Sequence, residues 1–419
     1  MATRSSTRRT AEVSVPRTLT APVIDGALFD YVILGAGCAG LTVCLALLEQ
    51  GETGTILLLD SRTAFRDDRT WCFWDVEPTP FTHLATASWN AWSVDTAGGR
   101  VRASNEAYPY LCLAAADFYE FALDSIAAFP NVRLVLGDKV VSCAESADEV
   151  RVTTSGADYR GRQVLDGRGL PVGGAAFAAA TREATWVPQQ FVGLRIRSSS
   201  PVFDPGECLL MDFDVDQSRG LRFMYVLPIG PDEALVENVY FSEPGISRSD
   251  YRTEITDYLA ARFDLAEADI VVEGEEHGYI PMTDFAFPLA ASPRIRSIGM
   301  LGGGSRPSTG YTFLRIQRSC RALAAALVHG TAPPTRISGR RSTMLDAVFL
   351  RFMVDHPERC PEVFARMFGR TPSGPLVRFL SEGSTPLDEL RLIVALPKRW
   401  FLAAAWRVLA RKVGARVRR

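Results

Sequence analysis

The run DYVILGAGCAGLTVCLALLEQG at residues 30–51, followed by ETGTILLLD to residue 60, limits the possible folds more than any other feature of this chain. Residues 31–34 form a short apolar stretch that reads as a buried strand, and an apolar segment of helical length follows it. Between them Gly35, Gly37 and Gly40 stand at G-x-G-x-x-G spacing. In such a unit the first glycine permits the tight turn, the second lets a pyrophosphate approach the backbone, and the third lets helix and strand lie close together. Ala36, Cys38 and Ala39 occupy the intervening positions and Leu34 the one before them, so their backbone belongs to the same expected cofactor loop. A phosphate there would meet the unpaired N–H groups and positive end of the helix. A second strand over 55–59 ends at Asp60, placed to accept hydrogen bonds from a ribose. The pattern predicts a Rossmann-type dinucleotide site but does not separate FAD from NAD.

A second strand, glycine turn and helix comes about 270 residues later: an apolar run over 297–301, then GGGSRPSTGYTF, then a helix through 328. Gly302, Gly303, Ser308, Thr309, Gly310 and Tyr311 lie in that loop, whose amides could meet the other half of a dinucleotide or the edge of a flavin ring. Two such turns argue for FAD over NAD. QVLDGRG at 163–169 ends another apolar strand, and Asp166 is either a cofactor-facing residue or an ordinary turn residue.

The expected organisation is α/β, with an FAD/NAD(P)-binding domain built from 27–185 and 286–340. A β-rich substrate domain over 186–285 and a helical C-terminal region over 341–419 complete it. Within 419 residues, 47% hydrophobic content supplies a large core. A net charge of −2 removes any global electrostatic case for nucleic acid. Eight cysteines without C-x-x-C pairs and four dispersed histidines predict reduced thiols in a cytoplasmic setting and no metal.

Residues 1–26, rich in Arg, Ser and Thr, read as a disordered extension, with a transit peptide as the alternative. Residues 398–419 carry eight Lys or Arg and no acid, interleaved with Trp400, Phe401, Leu402 and Trp406. No apolar run there reaches the length of a membrane span, so the segment is either an interfacial helix or a solvated basic tail. Aromatics crowd the segment after Asp60, where Trp71, Phe73 and Trp74 either line an apolar ligand cavity or fill core. Glu237 is a lone acid in the apolar run ALVENVYF, on the solvent face or buried for a purpose.

Taken together, VILGAGCAGL, RTWCFW, LDGRG, QQFVGL, MDFDVDQSRGLRFMYVLP, the Glu237 strand, EEHGYIP and GGGSRPSTGYTF resemble the flavin-dependent lycopene cyclases, in order and over nearly the whole chain from residue 31. The resemblance implies a fold akin to aromatic hydroxylases and geranylgeranyl reductases, reduced FAD as cofactor, and NAD(P)H as its reductant. It implies lycopene or a related carotenoid as substrate, a peripheral place on the membrane, and net non-redox cyclisation. Glu237 would be the catalytic acid, Trp71, Phe73 and Trp74 would bind substrate, and Ser61 and Arg69 would join the cofactor contacts. The family strand carries a second acid and a Thr where this chain has Asn238 and Val239, which leaves ring type and ring number open. An FAD-dependent oxidoreductase acting on a carotenoid or polyprenyl lipid is the competing reading.

Overall fold

A computed structural model describes residues 12–417 apart from 25, 171–173 and 244. Its first sheet is centred on strand Leu28–Leu34, which pairs in parallel with Ile56–Asp60 on one side and Asp158–Asp166 on the other. Val132–Leu136 extends the sheet beyond Ile56–Asp60, Val150–Thr154 and Val140–Glu145 extend it antiparallel beyond Asp158–Asp166, and Ile295–Ser297 adds in parallel. Strand Ile56–Asp60 is buried throughout. Such unbroken apolar runs are what parallel strands covered on both faces require. Helix Cys38–Glu49 covers one face and packs against helix Phe313–Val328, with Gln317 Nε2 donating to Thr42 Oγ1 at 2.8 Å.

The second sheet runs in the order Ile270–Thr283, Trp186–Ser198, Glu233–Tyr240, Arg222–Pro228, Glu207–Asp212, Ala91–Thr96, Gly99–Ser104. Five of its strands come from the β-rich region expected at 186–285. The last two come from inside the stretch assigned to the nucleotide-binding half. A smaller sheet of Thr70–Trp74, Tyr110–Ala114 and Ala87–Trp89 bridges the two larger ones.

Five helices, Arg340–Asp355, Cys360–Arg370, Ser373–Leu380, Pro386–Ala395 and Lys398–Val417, form the C-terminal region. Phe349, Phe364, Met367 and Phe379 from them join one core with Trp92 and Phe223 of the second sheet and Phe213 just after strand Glu207–Asp212. The joint between these helices and the 302–312 loop is a buried ion pair. Arg306 Nη2 and Asp346 Oδ1 lie 3.1 Å apart with side chains 2% and 1% exposed, and Ser308 Oγ donates to the same Oδ1 at 2.6 Å. Removing one member of a buried pair strands the other charge, so Asp346→Ala is expected to cost about 3–5 kcal/mol of stability in chemical denaturation. A loss below about 1 kcal/mol would show that the pair does not hold the joint.

The expectation of a disordered extension over 1–26 needs correcting from residue 12 onward; residues 1–11 lie outside the described residues. Val13 pairs with Phe65 through an N–H···O bond of 2.9 Å, and the Leu19 carbonyl accepts from Leu134 N at 2.8 Å. Leu19 itself is 1% exposed, inside the core of the first domain. Two apolar anchors in an otherwise polar run are enough to tie the segment down.

Candidate active site

The first glycine loop is built as its spacing predicts. Gly35 has φ +89°, a left-handed conformation. A Cβ on Gly40 would lie 1.8 Å from the Gly35 carbonyl oxygen, so only glycine lets the helix start this close to the strand. At Gly37, by contrast, the nearest atom to an added Cβ would be Arg62 Nη2 at 3.7 Å, which leaves open space beside a guanidinium. Arg62 Nε is buried, stands 3.1 Å from Asp60 in an ion pair, and donates no hydrogen bond. Open backbone, a helix N-terminus at Cys38 and the Arg62 guanidinium beside it fit a pyrophosphate.

Asp60 holds this loop together. Its Oδ2 accepts from Ala36 N at 2.7 Å and its Oδ1 from Arg62 N at 2.8 Å, which leaves lone-pair capacity for a ribose hydroxyl. Ser61 follows at the strand end, exposed. Asp166 closes the third side: its carboxylate is clamped by Arg168 Nε at 2.9 Å and Nη2 at 2.7 Å, while the next amide, Gly167 N, donates to Leu34 O. Arg69 pairs with Asp68 at 2.9 Å, at the mouth of the loop leading to strand Thr70–Trp74.

A cavity of about 200 Å³ opens between the second sheet, the C-terminal helices and the loop that carries Ser308, Thr309, Gly310 and Tyr311. Its wall is mostly aromatic and aliphatic, including Trp71, Phe191, Tyr225, Phe349 and Phe364. Gly302 and Gly303 lie deeper in the same loop, Gly303 at φ +79°, and do not reach the cavity. The volume is below the roughly 300–1,000 Å³ of drug-sized pockets, which suits one end of a long chain rather than all of it.

Glu237 is the acid of this wall. It is 8% exposed, and burial with the carboxyl of Glu276 beside it pushes its pKa well above the usual range. Burial and a neighbouring carboxyl both favour the protonated form. Strand alternation puts Val239 on the same wall and turns Asn238 to the other face, where Asn238 Nδ2 donates to Glu254 Oε2 at 2.6 Å. The amide at 238 therefore takes no acid out of the cavity.

Two expected substrate residues are corrected. Trp71 lines the cavity, but Phe73 and Trp74 do not. Phe73 stacks on Phe313 at 4.7 Å, and Trp74 packs against Trp92 and Tyr110, each at 4.5 Å. Strand Thr70–Trp74 enters at the cavity edge and runs away from it into core, so only its first residues reach the space.

Three residues of the site escaped the sequence reading. Glu276 sits in EGEEHGYIP among three acids, and only the strand register shows which of them points inward. Gly193, between Glu237 and Glu276, gives no signal of its own. Tyr225 lies opposite Glu237 on the next strand, and its hydroxyl donates to Tyr110 Oη at 2.9 Å. Alternation within LRFMYVLP carried that signal.

The family described as lycopene cyclase protein matches residues 30–405. A lycopene beta-cyclase from Pseudescherichia vulneris is 25% identical over 400 residues, 90% of this chain and 96% of its own length. One from Pantoea ananas is 26% identical over 90% of this chain and 97% of its own. Among solved structures, a geranylgeranyl bacteriochlorophyll reductase-like protein from Thermoplasma acidophilum superposes with a TM-score of 0.57 at 12% identity, covering 89% of this chain and 97% of that one. A flavoprotein/dehydrogenase from Cytophaga hutchinsonii gives 0.59 at 11%, covering 88% and 99%. The p-nitrophenol 4-monooxygenase of Pseudomonas putida gives 0.55 at 16%, covering 90% and 97%. The chain shares their Rossmann-type α/β fold.

Proposed function

The chain belongs to the lycopene cyclase family, and from that premise we propose that it closes a beta-type end ring on lycopene or a related acyclic carotenoid, with reduced FAD and without net oxidation. The observation that carries the reading is Glu237, a buried carboxyl whose pKa is raised by burial and by Glu276, on an apolar cavity that also touches the second glycine loop. Its proton adds to C2 of the terminal C1–C2 double bond, leaving a tertiary cation at C1. The C5–C6 π electrons form the C1–C6 bond and move the cation to C5. Loss of the C6 proton then gives the ring double bond, and one proton has been lent and returned.

The residues of the chain serve that sequence in three ways. The apolar wall excludes water that would trap the cation. The faces of Trp71, Tyr225 and Phe191 offer negative π density to it. Glu237 delivers the proton at one end of the cavity. Gly35, Gly37, Gly40 and Asp60 would hold FAD together with the loop from Gly302 to Tyr311. In its reduced form, maintained by NAD(P)H, it would supply negative charge that favours a cation. The test is lycopene turnover by the purified protein with catalytic FAD. Ring formation without stoichiometric NAD(P)H use is the expected result, and one NAD(P)H consumed per product would replace this reading with an oxidoreductase.

The C-terminal helices also support a peripheral membrane position. No helix among the described residues is long and apolar enough to cross a membrane. Leu402, Trp406 and Leu409 nevertheless form one exposed stripe on Lys398–Val417, and Leu387, Leu390 and Val394 form another on the preceding helix. The opposite face of the last helix is core: Ala404 and Val408 are buried and Phe401 stacks on Phe352 at 4.6 Å. Truncating the helix would therefore disturb the core as well. The surface pair Leu402→Ser with Trp406→Ser is expected to lower cosedimentation with anionic vesicles by roughly tenfold while leaving the protein folded. Unchanged binding at low salt would remove the membrane reading.

A further inference from the structure

Strand Trp186–Ser198 runs between the strands that carry Glu237 and Glu276, and Gly193 is the cross-strand partner of both. Directly opposed residues on adjacent strands project to the same face. The two carboxyl side chains therefore lean over Gly193 from either side. A Cβ at 193 would stand 2.9 Å from Glu237 Cγ, 3.2 Å from Glu237 Oε1 and 3.2 Å from Glu276 Cγ. The missing side chain is what lets the acids meet, joined by one hydrogen bond in which Glu237 donates and Glu276 accepts.

The surroundings of the pair are unequal. Thr70 Oγ1 donates to Glu276 Oε2 at 2.7 Å. Arg195, buried on the central strand, adds its field to Glu276, and its Nη1 is anchored at 2.7 Å by Asp67. His277, next along the strand, is exposed and pairs with Arg248 on the far side. Around Glu237 stand the Cys72 and Cys112 thiols of the small sheet and the Tyr225 phenol of the adjacent strand. Burial raises the pKa of Cys72 and of Tyr225, so both are neutral donors at most. Burial raises the pKa of Glu276 as well, and Asp67 adds to that, but the Thr70 hydroxyl, the Glu237 hydrogen bond and the Arg195 charge oppose it, whereas burial, Glu276 and Cys112 all raise that of Glu237.

We propose that Glu276 is the ionised member of a carboxyl pair that shares one proton across Gly193, and that it acts through Glu237 as a positioning residue. It keeps the shared proton on the cavity-facing carboxyl between turnovers. Once that proton moves to the polyene, Glu237 becomes a carboxylate and the pair carries two negative charges beside the carbon cation. Two anions held this close favour the proton's return. The same arrangement that secures the acid before the step thus draws the ring proton back after it. The inference rests on the reading of Glu237 as the acid.

The test is the pH dependence of lycopene cyclisation by the full-length, FAD-loaded enzyme, with the neutral-carboxyl infrared band of the same protein followed without substrate. Activity requires Glu237 protonated, so it is lost as pH rises through the pKa of the pair. Removing the neighbouring negative charge lowers that pKa. Glu276→Gln is therefore expected to move the alkaline limb and the band titration down by about one pH unit or more. Glu276→Asp, which keeps the charge but draws it back by one methylene, is expected to fall between Glu276→Gln and wild type and to serve if the Gln variant does not accumulate. A lower rate with an unmoved limb and band would overturn the proposal. If Glu237→Gln is inactive while Glu276→Gln leaves both unmoved, only this inference fails. If Glu237→Gln cyclises normally, the reading of Glu237 fails first.

Discussion

Glu237→Gln is expected to lower ring formation by roughly 10²–10⁴-fold, the span that a positioned general acid contributes. Glutamine is nearly isosteric with the protonated acid, keeps a donor and an acceptor in the cavity, and leaves Glu276 a hydrogen-bonding neighbour. The protein should therefore fold and still hold flavin. Only the transferable proton is lost. Pigment extracted from a lycopene-accumulating host would remain acyclic, and purified variant with lycopene would show the same loss at every pH. Activity within tenfold of wild type would move the proton donor elsewhere. The neighbouring amide offers a control: Asn238→Asp lies on the opposite face of the strand, bonded toward Glu254, and is not expected to rescue the Gln variant.

Gly40→Val should give the second large effect, by a different route. Its Cβ would fall 1.8 Å from the Gly35 carbonyl oxygen, far inside contact distance, and the obstacle is backbone that cannot rotate away. Helix Cys38–Glu49 would have to lift from strand Leu28–Leu34, taking its N-terminal amides from the phosphate position. Overpacking of this kind costs about 1–3 kcal/mol or more. The purified variant is expected to be colourless after gel filtration and to show no flavin absorbance at stoichiometric loading. Full flavin content at wild-type affinity would mean that the dinucleotide does not lie on this loop.

The first glycine unit was legible because every part of it is local: strand, turn, helix and terminal acid follow within some thirty residues, and Asp60 reaches back only to Ala36 and on to Arg62. Glu237 was legible as a charge in an apolar run. Its partner was not, since Glu273, Glu275 and Glu276 are all acids and parity alone cannot choose among them. The choice comes from the register Gly193↔Glu276, a pairing across 83 residues of chain. Phe73 and Trp74 failed for the same reason in reverse. A cluster of aromatics states that something apolar is filled, and only the path of strand Thr70–Trp74 decides whether that is ligand space or interior. The strap at Val13 and Leu19 was hidden by the polar residues around it.

The second sheet is completed by Ala91–Thr96, paired in parallel with Glu207–Asp212, and by the hairpin partner Gly99–Ser104. Both are contributed from well inside the other half of the molecule, so the two halves are sewn through each other rather than joined end to end. Anyone grafting the cavity-lining sheet onto another scaffold would have to carry residues 87–104 along with 186–285. A chimera cut at the apparent junction would expose the flank of Glu207–Asp212 as a raw edge, open to pairing with a second copy.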